Sequence, residues 1–216
     1  MKYKDLSDSA KEYAYKNFQE CRGGEGFDFQ VESVLEYCRD MLETRGLYDL
    51  VFDYSGFHSQ GDGACFTCGI DLKDFLDAHP EVRNNHRELY IAIIPFDGEE
   101  PACNYFDIHI TKFVGRSSYS HENTVHLGNW NLEVHPVHDL VDGEDYEKLF
   151  VNAEEDIEEQ CRDYMRQLYR TLEEAYTYST SLEAFLEVAD FQDFNEQGDL
   201  TWAYKYTQHN VMHTAI

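Results

Sequence analysis

From Asp145 to about Tyr178 apolar residues recur every three or four positions: Tyr146, Leu149, Phe150, Ala153, Ile157, Cys161, Tyr164, Met165, Leu168, Leu172 and Ala175. That stripe predicts one long amphipathic helix, a rod of roughly 50 Å at 1.5 Å per residue. Two shorter helical periods open the chain. Leu6, Ala10, Tyr13, Ala14 and Phe18 share a face of a helix that Ser7 or Ser9 can cap and that ends near Cys21. Val31, Val34, Leu35, Cys38, Met41 and Leu42 mark a second helix, which Gly46 closes.

Between Leu47 and Val137 the period drops to two or to short solid apolar runs, the pattern of strands. The segments LYDLVFDYSGF, ACFTCGI, ELYIAIIPF, NYFDIHITKFV and NTVHLGNWNLEV read as five strands, with a short helix at DLKDFLDAH stopped by Pro80. Connections this short suit an antiparallel meander, with one face covered by helices and the other partly wet. After the long helix, Thr180 and Glu183 have capping-box spacing before Leu182, Phe185, Leu186 and Ala189, and Gly198 marks a turn. Leu200, Trp202, Tyr204 and Tyr206 then alternate as a last strand. The expected architecture is a single α+β domain: a helical N-terminus over 1–46, an antiparallel sheet over 47–137 and an acidic helical C-terminal part over 138–216.

Charge changes the functional picture more than the fold. The chain holds 43 acidic against 17 basic residues, a formal net charge of −26, while its 15% aromatic content argues for a folded body. Such a body repels phosphates and anionic lipid and attracts basic surfaces over about 8 Å at physiological salt, so direct nucleic-acid or membrane binding is disfavoured. The acidity is concentrated. Residues 139–199 carry 19 Asp and Glu against Lys148, Arg162, Arg166 and Arg170, which is 15 of the 26 net charges. The opening residues have no signal-peptide run and no segment is apolar enough to span a bilayer, so a cytoplasmic protein is expected. Six scattered cysteines fit reduced thiols, with Cys38 and Cys161 on apolar helix faces.

The stretch YSGFHSQGDGACFTC, Tyr54 to Cys68, invites a chemical reading. Gly61 and Gly63 with Asp62 instead describe a hairpin turn between two strands. Cys65 and Cys68 are three apart on a strand and point to opposite faces, which suits neither zinc nor a redox pair. With YSHENTV and the N-terminal LSDSAKEYAYKNF, the string SGFHSQGDGACFT resembles a family of small phage and prophage proteins, some labelled antitoxins of toxin–antitoxin stability systems. The likeness covers roughly Leu6 to Val137. It implies an accessory protein of a mobile element that acts on a host or rival macromolecule, and it transfers no catalytic residue.

Ten histidines raise an enzymatic alternative. Asp107, His109 and Thr111 alternate onto one strand face, half of the His-x-Thr pairing used by two-histidine phosphoesterases, and no second half follows. His109, His121, His126 and Asp107 could supply metal ligands, although no HxH or HExxH fixes their geometry. A hydrophilic sheet face accounts for His109, His126 and His135 more simply, and HEN at His121 reads as a polar hairpin.

The leading expectation is inhibition by binding. Glu147, Glu154, Glu155, Glu158, Glu159 and Asp163 lie off the apolar stripe, and Glu183, Glu187 and Asp190 extend the series onto the next helix. Carboxylates so arrayed can copy the charge of DNA for a basic partner, a nucleic-acid-handling or defence protein, with Ser59, Gln60 and Asp62 as loop contacts and no cofactor. An antitoxin capping its toxin through Trp130, Trp202 or Tyr204 is the alternative binding mode.

Overall fold

The computed structural model describes residues 1–22, 25–57, 59, 61–94, 103–113, 120–128, 131–134 and 143–201. Seven helices and an antiparallel sheet are seen there: an α+β protein. The chain forms two compact units, one from Met1–Ser33 with Leu172–Ile216 and the other from Val34–Thr171.

In the first unit, α1 (Asp8–Arg22) begins where the Ser7 hydroxyl accepts the Ala10 amide, 3.3 Å away, so Ser7 is the cap. Leu6, Ala10 and Ala14 pack against Phe185 and Ala189 of α7 (Leu182–Ala189) and against Phe194, with Tyr3, Tyr15 and Phe18 closing the cluster. Three of those rings, Tyr3, Tyr15 and Phe18, surround Phe185 at centroid distances of 5.0, 5.6 and 5.2 Å. Ser181, not Thr180, caps α7: its hydroxyl accepts the Ala184 amide at 3.1 Å. The Thr180 hydroxyl is turned back to the Tyr176 carbonyl instead. Gly198, at φ +96°, forms the expected turn, and beyond it Leu200 makes a single bridge to Phe194. The rest of the expected last strand, from Trp202 onward, lies outside the described residues.

The second unit is built on the sheet. β1 (Leu47–Ser55), β2 (Gly63–Ile70), β3 (Cys103–Lys112) and β4 (Val125–Leu127) pair antiparallel in chain order. β5 (Asn131–Val134) pairs with β3 as well, beyond β4 and one residue out of its register: Ile110 faces Leu127, whereas Asp107 faces Asn131. The expected antiparallel meander is present over four strands, with β5 returning to β3 instead of extending it, and one of the five sequence segments is not a strand. ELYIAIIPF contributes α5 (Arg87–Ile93), where Leu89, Ala92 and Ile93 are buried at helical spacing and Ile91 is exposed. A solid apolar run fits a buried helix turn as readily as a strand, and here the α-period wins. Pro80 stops the helix at DLKDFLDAH, as expected, without ending the helical region. It stands at the first turn of α4 (Pro80–Asn85), directly after α3 (Leu72–Ala78), because proline lacks only an N–H that this position leaves unbonded.

The sheet does not leave one face wet along its centre. β2 is buried on seven of its eight residues, so both its faces are covered. Phe66, Ile70, Ile108 and Ile110 are at most 1% exposed and each stabilises the fold by about 1.5–3 kcal/mol through burial. α2 (Glu25–Glu43) is followed by a turn that closes at Gly46, whose φ is +79° and whose α-carbon packs on the start of α3. The long helix, α6 (Gly143–Ser179), runs 37 residues, and Phe150, Ala153, Ile157, Cys161, Met165, Leu168 and Leu172 of the predicted stripe are buried. No helix among the described residues is long and apolar enough to cross a membrane.

Candidate functional site

Because the stripe on α6 is consumed by the core, residues between its members are pushed outward, and most of these are acidic. Glu147, Glu155, Glu159 and Asp163 are exposed, and Glu154 is half-buried. Glu158 departs from expectation: its Oε2 accepts the Leu127 amide of β4 at 2.7 Å, and its Oε1 pairs with Arg162. It lies one turn from buried Cys161, at the edge of the stripe, and satisfies the backbone of an edge strand. Glu158 is therefore part of the fold and not of a free surface.

The array is also less negative than its sequence suggests. The Arg166 guanidinium lies 2.6 Å from the Glu159 carboxylate and binds Asp163 as well, while Arg162 reaches Glu159 at 3.8 Å in addition to Glu158. The carboxylates of Asp163 and Glu159 push Arg166 above its already high pKa. Two arginines thus engage three of the six acids. Spacings of three, four and seven residues between these acids and Arg162 and Arg166 were the signal in the sequence for this neutralisation.

The exposed side of α6 also borders a groove of about 590 Å³. Asp156, Glu159, Gln160 and Asp163 form one wall, and the α3–α4 junction forms the other with Ala78, Pro80, Glu81, Val82 and Asn85. Four carboxylates therefore line a cleft with an aliphatic wall, which suits the stem and charged head of a lysine or arginine. Asp156 and Glu81 were not among the expected contacts. Asp156 is held at 2.8 Å by the imidazole of His86, whose position opposite α6 depends on the α4 turn. His79, at the same junction, is 7% exposed: its Nδ1 donates to the Phe75 carbonyl and its Nε2 accepts the Tyr164 hydroxyl.

The three acids expected on the following helix, Glu183, Glu187 and Asp190, are exposed in the first unit, and the Tyr178 hydroxyl donates to Glu187 at 3.0 Å. The loop contacts resolve differently. Asp62 accepts the Ser59 amide at 2.6 Å and donates its own amide to the Ser59 carbonyl at 3.1 Å, closing the hairpin. Gly56 and Gly61 take φ of +40° and +100°, and a methyl on Gly56 would overlap the Asp62 carboxylate. Asp62 is thus a turn-forming residue, Ser59 presents an exposed side chain, and Gln60 lies outside the described residues. Trp130, Trp202, Tyr204 and His135 lie outside them as well.

Cysteine and histidine chemistry is constrained by burial and by neighbours. Cys65 and Cys68 are free and buried, and desolvation pushes the Cys68 thiol up to about 12, far from a thiolate at neutral pH. On β3, His109 Nε2 donates to Asp107 at 2.7 Å, and directly across on β4 His126 stands 3.4 Å from the Thr111 hydroxyl. His126 Nδ1 donates to the Leu127 carbonyl, so its Nε2 is left as the acceptor for Thr111. This is a half-exposed, internally bonded sheet face. His121 is elsewhere: it is not in a hairpin but caps a short 3₁₀ turn, Glu122–Thr124, by accepting the Asn123 amide at 3.2 Å. Among the described residues no three His, Cys, Asp or Glu side chains are arranged to hold a metal ion.

Residues 12–182 match the family model described as a domain of unknown function, DUF8835, and the chain belongs to that family. No curated protein and no solved structure matches the chain.

Proposed function

We propose that the protein acts by binding, presenting the outer face of α6 to a basic protein that handles nucleic acid. The observation that carries this reading is the cleft along α6, lined by Asp156, Glu159 and Asp163 on one wall and by Glu81 with Ala78, Pro80 and Val82 on the other. Basic side chains from a partner would enter it charged head first, lay their stems along the aliphatic wall and share their charge with carboxylates that Arg166 only partly neutralises. A net charge of −26 adds long-range attraction for such a surface and repels nucleic acid itself. The resemblance to phage and prophage accessory proteins supports a setting in which the partner is a nuclease, repressor or defence enzyme whose DNA-binding groove is occupied.

The test begins with the whole chain immobilised at low salt in a bacterial lysate, eluted by a salt step and identified by mass. The recovered protein is then purified and its DNA binding measured with this protein as competitor. The reading requires that DNA be displaced, that the affinity fall steeply with salt, and that Glu155→Lys with Glu159→Lys abolish competition while His109→Ala does not. A partner that binds no nucleic acid, or competition insensitive to salt and to these charge reversals, would sink it.

A further inference from the structure

The outer surface of α7 differs in kind from that of α6. Leu182 and Leu186, one turn apart, are 48% and 44% exposed, and Phe191, just past the helix, is 81% exposed. An aromatic ring left that far in water loses its hydrophobic contribution, and three large apolar groups in one short segment mark a surface that another molecule covers. Beside them Glu183 and Glu187 are also one turn apart, and Asp190 is the C-cap. No Lys or Arg occurs between Arg170 and Lys205; the cation that reaches this flank, Lys2, pairs with Asp193 at 3.3 Å, and no ion pair to Glu183, Glu187 or Asp190 is seen among the described residues. Asp190 adds a negative charge at the end of a helix that already carries partial negative charge, an unfavourable placement that a docked cation would reverse.

We propose that this surface receives a basic amphipathic helix of the partner. The helix would lay its apolar stripe over Leu182, Leu186 and Phe191, with Lys or Arg side chains reaching Glu183, Glu187 and Asp190. An arginine at Asp190 would also lie within reach of the Phe191 ring. The inference rests on the partner being basic, as argued above, and specifies by which kind of segment it is held.

The experiment uses the full chain and two synthetic peptides of about 18 residues, or five helical turns. Both have the same Leu and Lys content, arranged as an amphipathic helix in one and permuted to remove the apolar face in the other. Titration should show the amphipathic peptide binding about tenfold tighter than the permuted one, with Phe191→Ser and Leu186→Ser each weakening it about fivefold. Both side chains are exposed, and an unchanged thermal melt will show that the variants fold. Glu155→Lys with Glu159→Lys should leave the amphipathic peptide within about twofold, since neither acid belongs to the proposed docking surface.

Equal affinity for both peptides, or indifference to Phe191→Ser and Leu186→Ser, would overturn the docking surface while leaving the basic-partner reading intact. Failure of both peptides to bind at low salt would remove both. Sedimentation showing a dimer that Phe191→Ser dissolves would assign the surface to a second copy, and a chain ending at Thr201 that binds the peptide much more tightly would assign it to residues 202–216. Either result overturns the proposal.

Discussion

The hydroxyl of Tyr164 donates to Nε2 of His79, and both side chains are buried. The tautomer is dictated by the other nitrogen, since Nδ1 faces the Phe75 carbonyl and must carry the proton. His79 also ends α3 and precedes Pro80, so one neutral imidazole ties the helical corner to α6.

That bond makes stability depend on pH. Burial holds the His79 imidazole below its ordinary 6.5, and the nearby Arg45 guanidinium lowers it further. The unfolded chain therefore takes up a proton first as pH falls, and folding stability contributed by this site is complete above 6.5 and declines below it. Urea midpoints at pH 7.5 and pH 5.5 should show His79→Gln less stable than wild type by about 1–2 kcal/mol at the higher pH. The gap should shrink at the lower pH. A constant gap would mean that His79 does not titrate in this range.

Gly46→Ala should be among the most damaging single changes. The residue sits at φ +79°, and a β-carbon would overlap the Phe75 amide nitrogen and stand 2.8 Å from the Asp71 carbonyl oxygen. Backbone strain alone costs about 1–3 kcal/mol, and the overlap with α3 adds to it. Equilibrium denaturation should register a loss of at least about 2 kcal/mol. A smaller loss would show that the α2–β1 corner can shift.

Glu158 and Glu155 differ by three positions and should differ in consequence. Glu158→Ala strands the Leu127 amide and removes a partner of Arg162, which should cost about 1–3 kcal/mol. Glu155→Ala, on an exposed position, should stay within about 0.5 kcal/mol. If the two variants melt alike, the edge-strand role of Glu158 is wrong.

Thiol chemistry supplies a fourth check. Cys21 is exposed, whereas Cys38, Cys65, Cys68 and Cys161 are buried, and desolvation pushes the Cys161 thiol well above its usual value. With a colorimetric disulfide reagent under native conditions, Cys21→Ser should remove a fast phase that Cys68→Ser and Cys161→Ser leave untouched. Fast modification of Cys161 would contradict its place on the inner face of α6.

Periodicity carried most of the fold. The stripe from Phe150 to Leu172 and the β1–β2 hairpin about Asp62 follow from spacing and turn chemistry alone. Where the reading failed, local signals were degenerate. Leu89 to Ile93 could be strand or helix, and Ser181 competes with its neighbour Thr180 for a cap. The candidate site was legible as charge but not as pairing. Exposure of Glu155 follows from the helix period; the turning of Glu158 toward Leu127 depends on where β4 packs, and Asp156 gains meaning only beside His86.

The covering of β2 on both faces has a consequence for how the second unit comes apart. A strand with solvent on one side can shed a layer and remain half-packed, but β2 is roofed and floored along nearly its whole length. Loosening either layer uncovers the central strand of the sheet, so its cover should unlock in one concerted step, with the amides of Phe66 to Gly69 the last to meet deuterium.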